Sequence, residues 1–219
     1  MNNNQSTKII VTAGATAESI DQVRYLSNRS SGKLGTLIAQ SAAIYGYETT
    51  LLVGPNCITP TSHPRLSIVE FSSTRDLGSK LQEHWPSNNI LIMAAAVSDF
   101  TPKGGQLTGK IRRSEHLHLD LMPTDDLVQG IASKARDDQN IIAFALADSG
   151  SLKKIALEKM KRKGVDAIVA NPIETMEAKN ISVTVFCKDG RKLEPQQEIP
   201  KSKFAKWIIE NLDEILTTT

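Results

Sequence analysis

Six short apolar runs recur along the chain: Ile9 to Thr12, Thr49 to Val53, Leu66 to Glu70, Ile90 to Val97, Ile141 to Phe144 and Ala167 to Ala170, with helical patterns between most of them. Strand alternating with helix brings each strand back beside an earlier one, which implies a mostly parallel sheet with helices on both faces. A Rossmann-like α/β fold is therefore expected. At 219 residues the chain can bury one substantial core, so we expect a single domain over 1–219, with residues 1–7 disordered ahead of the first strand.

Helix starts are signalled by Ser73-Thr74, by Thr124 before Asp125-Asp126-Leu127, and by Ser149-Gly150-Ser151 before Leu152, with Gly164 ending the Lys153 to Lys163 helix. The C-terminal part differs. Ile181 to Phe186 alternates, Lys188-Asp189-Gly190 supplies a turn and Arg191-Lys192-Leu193 resumes an extended strand, which reads as an antiparallel hairpin. If it projects, its edges and its Val183 and Val185 face need covering, and a homodimer is expected. The amphipathic segment Lys203 to Leu216 should pack back on the core. Lys110 to Arg113 and Leu117 to Leu121 read as a second extended pair, preceded by a mobile loop, Thr101-Pro102-Lys103-Gly104-Gly105.

Charge narrows the partners. With 26 basic and 24 acidic residues the net charge is only +2, which gives no global field for nucleic acid, although basic residues cluster between Lys153 and Lys163. No apolar run reaches the roughly 18 residues of a membrane span, and Met1 to Ser6 lacks the basic and apolar regions of a signal peptide, so a cytoplasmic protein is expected. Cys57 and Cys187 stand apart with no His or second Cys nearby, and are expected as reduced thiols.

The run Ser27-Asn28-Arg29-Ser30-Ser31-Gly32-Lys33-Leu34-Gly35 precedes a helical apolar pattern. Its small residues leave backbone N–H groups uncovered at a helix start, where anions are attracted. It is not a Walker loop: Ser27 stands where the first Gly is needed, and Leu34 replaces the metal-binding hydroxyl. Nor is it a dinucleotide fingerprint, because the first strand runs into Ala13-Gly14-Ala15-Thr16-Ala17-Glu18. A Ser-capped helix start would account for the same residues, so other segments must decide.

Asp99 follows Met93 to Ser98 at the carboxyl end of a buried strand, where ligands gather in an open α/β sheet; a turn cap is the plainer alternative. Lys110, Arg112 and Arg113 could close over an anion or form a solvated charge run. Lys159 and Lys163 lie one helical turn apart with Arg162 beside them; they suit a triphosphate, although a helix C-terminus favours cations without any ligand. His116 and His118 have H-x-H spacing, but neither they nor His63 and His84 are joined by a third metal ligand. Metal ligands are left unassigned. Tyr25, Tyr45 and Tyr47 are followed four residues later by Arg29, Thr49 and Leu51, so a reductase Tyr-x-x-x-Lys pair is missing.

Taken in order, Ile10 to Thr16, Asp21 to Gly35, Ala94 to Phe100, Lys110 to Arg113 and Lys159 to Asn171 resemble phosphopantothenate–cysteine ligase, the phosphopantothenoylcysteine synthetase of coenzyme A biosynthesis. The resemblance spans nearly the whole chain. It implies a ligase that uses CTP and Mg²⁺ to convert the carboxylate of 4′-phosphopantothenate into an acyl-cytidylate, which the amine of cysteine attacks. By resemblance, Asn28 contacts the activated acyl group and Lys110 reaches the reaction centre from a mobile flap. Asp99, Phe144, Lys159 and Lys163 contact the nucleotide with Ser30, Ser31 and Gly32, and Arg24, Asn28 and Ala95 contact the acid.

The family's Lys-x-Lys-Lys flap is Lys-Ile-Arg-Arg here, and its Phe-Ala-Ala-Glu-Thr segment is Phe144-Ala145-Leu146-Ala147-Asp148-Ser149, with one extra residue. CTP is expected ahead of ATP. Bacterial members are often fused behind a flavin-dependent decarboxylase domain; this chain starts close to the first ligase strand, so the resemblance implies a separate decarboxylase and no flavin. The alternative is a nucleotide-binding paralogue that has lost turnover and kept a regulatory role.

Overall fold

The computed structural model of the protein describes residues 7–58, 60–113, 117–175, 178–195 and 197–217. Eight strands form one sheet: β1 (Lys8–Ala13), β2 (Glu48–Val53), β3 (Leu66–Glu70), β4 (Ile90–Met93), β5 (Asn140–Ala147), β6 (Ala167–Pro172), β7 (Thr184–Cys187) and β8 (Lys192–Leu193). Across the sheet they run β8-β7-β6-β5-β4-β1-β2-β3. The strands from β1 to β6 pair in parallel, and β7 and β8 add an antiparallel edge.

The helices are α1 (Lys33–Tyr45), α2 (Thr74–His84), α3 (Leu127–Ala132), α4 (Leu152–Lys163), α5 (Lys201–Glu210) and α6 (Leu212–Leu216). Neighbouring strand residues point to opposite faces, so β1 feeds two cores. Ile9, Val11 and Ala13 pack with Ile38 and Ala42 of α1 and with Phe204, Ile208 and Ile215 of α5 and α6. Ile10 packs on the other side with Leu77 and Leu81 of α2, Val128 and Ile131 of α3 and Ala156 of α4. Helices thus cover both faces of the sheet, and the Rossmann-like expectation holds.

Several local expectations also hold. Ser73 caps α2, its hydroxyl accepting the Asp76 N–H at 3.3 Å. Gly164 ends α4 in the left-handed region at φ 67°. The cap of α3 is Asp126, two residues beyond the expected Thr124; its carboxylate accepts the Gln129 N–H at 3.1 Å. The expected Lys203 to Leu216 segment is two helices broken at Asn211, and both pack on the core.

The hairpin forms, with Gly190 at φ 92° in its turn, but it does not project. β7 pairs with β6, and Val183 and Val185 are buried in the chain's own core, so that face asks for no second subunit. The extended pair differs too: Leu121–Pro123 pairs with Phe100–Pro102, not with Lys110 to Arg113. Thr101 and Pro102, expected in a loop, are therefore strand residues. A second ribbon pairs Ala17–Ser19 with Tyr25–Ser27. The disorder expected over residues 1–7 falls outside the described residues except at Thr7. Among the described residues no helix is long and apolar enough to cross a membrane.

Candidate functional site

The sheet order reverses between β1 and β4, and the connections after these strands leave in opposite directions. In an open α/β sheet that divergence opens a crevice at the strands' carboxyl ends. Here it is a cavity of about 820 Å³.

One wall is the segment Ala94 to Asp99 after β4. Strand geometry stops at Met93 because the next amides turn towards β1: the Thr12 hydroxyl accepts the Ala95 N–H at 3.0 Å, and the Gly14 carbonyl accepts the Ala96 N–H at 2.8 Å. Asn28 braces the wall from outside. Its amide donates to the carbonyls of Ala96 (3.1 Å) and Val97 (3.2 Å), although Asn28 itself lines neither cavity. Asp99 is exposed at the rim.

The opposite wall is the start of α1, with Ser30, Ser31 and Gly32 facing the cavity. Gly32, not a serine, stands at the N-cap; its φ is 70° and no side chain caps the helix. The first-turn N–H groups are thereby left uncapped by side chains, although the Gly32 N–H makes a 3.4 Å contact with the Ser30 hydroxyl. The glycine spacing has a steric cause. A Cβ on Gly32 would lie 2.4 Å from the Cys57 sulfur, and one on Gly35 would lie 2.7 Å from the Thr12 carbonyl, so both glycines let α1 settle onto the end of β1.

The far end carries cations from α4. Lys159 donates to the Phe144 carbonyl at 2.7 Å, and Lys163 pairs with Asp126 at 2.9 Å; Arg162 lines the cavity beside them. Burial, with Lys163 and Arg162 adding repulsion, brings the Lys159 ammonium down to about 8. Burial pushes the Asp126 carboxyl up, but the Lys163 ammonium and the Gln129 amide outweigh it and hold the group below its ordinary value. Phe144 lines the cavity from β5, with Leu146 two residues on, so strand alternation continues through the segment that carries the extra residue.

Of the residues singled out from sequence, Ser30, Ser31, Gly32, Ala95, Asp99, Phe144, Lys159 and Lys163 meet in this one cavity. Arg24 and Lys110 do not. They line a neighbouring cleft of about 700 Å³ with Ile111, Arg112, Arg113 and Leu117. His63 instead accepts the Arg65 N–H through Nδ1 at 3.2 Å, and His116 lies outside the described residues. Cys57, expected only as a reduced thiol, has its sulfur against Gly14 and Gly32, and Lys201, which the sequence did not single out, lines the cavity from the start of α5 although only 7% exposed. A lone cysteine in a loop gives no sequence signal. Lys201 could have been found from its place directly after Pro200, at the first turn of a helix, where a cation is out of keeping with the helix dipole.

Residues 4–216 match the family model described as "DNA/pantothenate metabolism flavoprotein C-terminal domain". Among curated proteins, the chain is 33% identical over 208 residues to the coenzyme A biosynthesis bifunctional protein CoaBC of Borreliella burgdorferi, covering 94% of this chain and 52% of the relative. It is 30% identical over 216 residues to CoaBC of Escherichia coli K12, covering 95% and 51%. The chain thus spans about half the length of these relatives. Among solved structures, the DNA/pantothenate metabolism flavoprotein from Streptococcus pneumoniae superposes with a TM-score of 0.83 at 26% identity, over 95% of this chain and 99% of that one. The C-terminal domain of a CoaBC protein superposes at 0.79 with 28% identity, over 99% and 98%. A full-length match of sequence and a shared backbone agree, and the chain belongs to the DNA/pantothenate metabolism flavoprotein C-terminal domain family.

Proposed function

We propose that this chain is a ligase of coenzyme A biosynthesis that forms the amide between 4′-phosphopantothenate and L-cysteine, activating the acid with CTP as an acyl-cytidylate. The observation that carries this reading is the single cavity at the β1/β4 divergence, bounded by an uncapped helix start at one end and by Lys159, Arg162 and Lys163 at the other. An anion spanning both ends meets backbone N–H donors and ammonium groups together. The Borreliella burgdorferi and Escherichia coli relatives, matched over 94% and 95% of this chain, are named for coenzyme A biosynthesis, which supports the substrate assignment.

In the first step the acid's carboxylate oxygen bonds to the α-phosphorus of CTP, and pyrophosphate leaves with the electron pair of the broken P–O bond. In the second the cysteine amine bonds to the acyl carbon, CMP leaves, and the amine gives up a proton. Lys159, Lys163 and the amides at Ser30 to Gly32 hold phosphate charge, Phe144 and Asp99 hold the nucleoside, and Ala95 borders the acyl group on the wall that Asn28 braces from behind. Arg24 and Lys110 approach the acid from the adjoining cleft. Fixed donors of this kind need no reorganisation as charge develops, and joint binding of acid and nucleotide removes an entropic barrier of up to about 7–11 kcal/mol.

Among the described residues no group of three or more His, Cys, Asp or Glu could hold a metal. A Mg²⁺ ion accompanying the triphosphate fits this setting, because Mg²⁺ is commonly held by phosphate oxygens and only one or two carboxylates. Asp125, at the cavity and without a role towards the nucleoside, is the candidate.

The homodimer is retained, on another surface. Val23, Tyr25, Phe100, Leu107, Leu121 and Met122 are exposed apolar residues on or beside the two short ribbons, and a second copy would cover them. Light scattering of Phe100→Asp should then report a smaller species than the native chain. The activity is tested by incubating purified protein with phosphopantothenate, cysteine, Mg²⁺ and either CTP or ATP. Amide and pyrophosphate with CTP are expected. Product with ATP alone would defeat the cytidine assignment, and CTP binding without product from either would favour the regulatory paralogue.

A further inference from the structure

Residues 107–113 lie against the turn at 20–24. The Leu107 N–H donates to the Ile20 carbonyl at 2.9 Å, and the Gln22 N–H to the Gly109 carbonyl at 3.4 Å. Asp21 stands at the centre of this contact with its side chain fully buried. Its Oδ1 accepts the N–H groups of Val23 and Arg24, each at 2.8 Å. Its Oδ2 accepts the Ile111 N–H at 3.0 Å and lies 3.4 Å from Arg24 Nη1. Arg24 Nη2 then donates to the Ile111 carbonyl at 2.9 Å. Both polar groups of Ile111 are therefore gripped, one by each member of an ion pair.

The two residues beside this grip are Lys110 and Arg112, which line the cleft next to the larger cavity. Gly104, Gly105 and Gly109 all have φ near +80°, so the approach to Lys110 is a run of turns, tied to the 20–24 turn by the Leu107 and Gly109 bonds and by the grip on Ile111. What fixes the basic segment is the contact with Asp21 and Arg24.

We propose that Asp21 is a positioning residue, which holds Ile111 so that Lys110 and Arg112 are presented to the acid substrate. This rests on the ligase reading given above. The role requires a carboxylate. One oxygen forms the local turn and the other takes the Ile111 N–H, so an amide in its place would face one of these donors with its NH₂. The Ile111 amide, opposed by burial and reinforced by the Val23 and Arg24 amides, keeps the carboxyl below its ordinary value and so ionised at neutral pH.

The test uses Asp21→Asn in the full chain, with deuterium uptake over 107–113 and steady-state kinetics measured side by side. Faster uptake confined to 107–113 and the 20–24 turn is expected, with kcat/KM for phosphopantothenate lowered about tenfold and the Kd for CTP within about twofold of the native value. Native-like uptake, or faster uptake with unchanged kinetics, overturns the proposal. So does a CTP affinity that falls in step with kcat/KM, since that is general damage to the site. Should Asp21→Asn not fold, Ile111→Pro removes the gripped N–H while also fixing φ at 111 and restricting Lys110, so Ile111→Ala, which keeps the N–H and should keep native uptake, is its control. Failure of the ligase reading shows separately, as no amide from the native chain; uptake needs no turnover.

Discussion

The Lys159 ammonium donates to the Phe144 carbonyl across 2.7 Å, which fixes the cation on the same strand that presents the Phe144 ring to the cavity. Burial disfavours its charged form, bringing it from 10.5 down to about 8. An anion has the opposite effect, so CTP should bind with uptake of a proton wherever free Lys159 is neutral. CTP affinity should therefore fall as pH rises through about 8, and isothermal titration in buffers of different ionisation enthalpy should show the proton uptake. In Lys159→Met binding should be weaker and lose this pH dependence. Stability moves the other way: the cost of burying the charge is present below about pH 8 and is relieved between there and the unfolded value near 10.5.

Gly32→Ala should destabilise the fold by at least about 1–2 kcal/mol, the ordinary cost of an L side chain in the left-handed region, read from urea unfolding. The added Cβ would also lie 2.4 Å from the Cys57 sulfur and 2.9 Å from the Gly14 amide nitrogen. Adding Cys57→Ala should recover only part of the loss, because the contact with Gly14 is backbone. Full recovery would mean that the sulfur alone demands the glycine.

Asn28→Ala should leave the fold intact, since the side chain is exposed, and lower turnover at least about tenfold, or 1.4 kcal/mol in the transition state. Its amide spans the carbonyls of Ala96 and Val97, so the wall beside the acyl group loses its outer brace. A folded variant with native turnover removes Asn28 from the reaction.

Much of this architecture was legible because burial leaves a periodic trace. All six parallel strands were expected near their observed places, and the hairpin turn was marked by Gly190. The failures are equally physical. Ala94 to Val97 reads as a continuation of β4, since a cavity wall and a buried strand both favour small apolar residues; only the Thr12 hydroxyl and the Gly14 carbonyl, distant in sequence, turn the backbone away. The alternating Val183 and Val185 require a cover, but periodicity does not say whose, and the core shared with α5 and α6 supplies it. Leu121–Pro123 finds Phe100–Pro102 across a loop whose glycines hide the pairing. At the site, the phosphate-facing loop and the α4 lysines stood out by composition, whereas Asp21 did not, because its role lies in backbone groups that any residue possesses.

If the acid is activated as an acyl-cytidylate, one oxygen of its carboxylate leaves on CMP, and that atom can be traced. Phosphopantothenate bearing heavy oxygen in its carboxylate is incubated with the protein, CTP, Mg²⁺ and cysteine, and the released nucleotide is examined by mass spectrometry. Attack of the carboxylate on the α-phosphorus predicts a single heavy oxygen in CMP and none in pyrophosphate. Amide formation with the label in inorganic phosphate and unlabelled CDP would show activation at the γ-phosphorus and rule out an acyl-cytidylate.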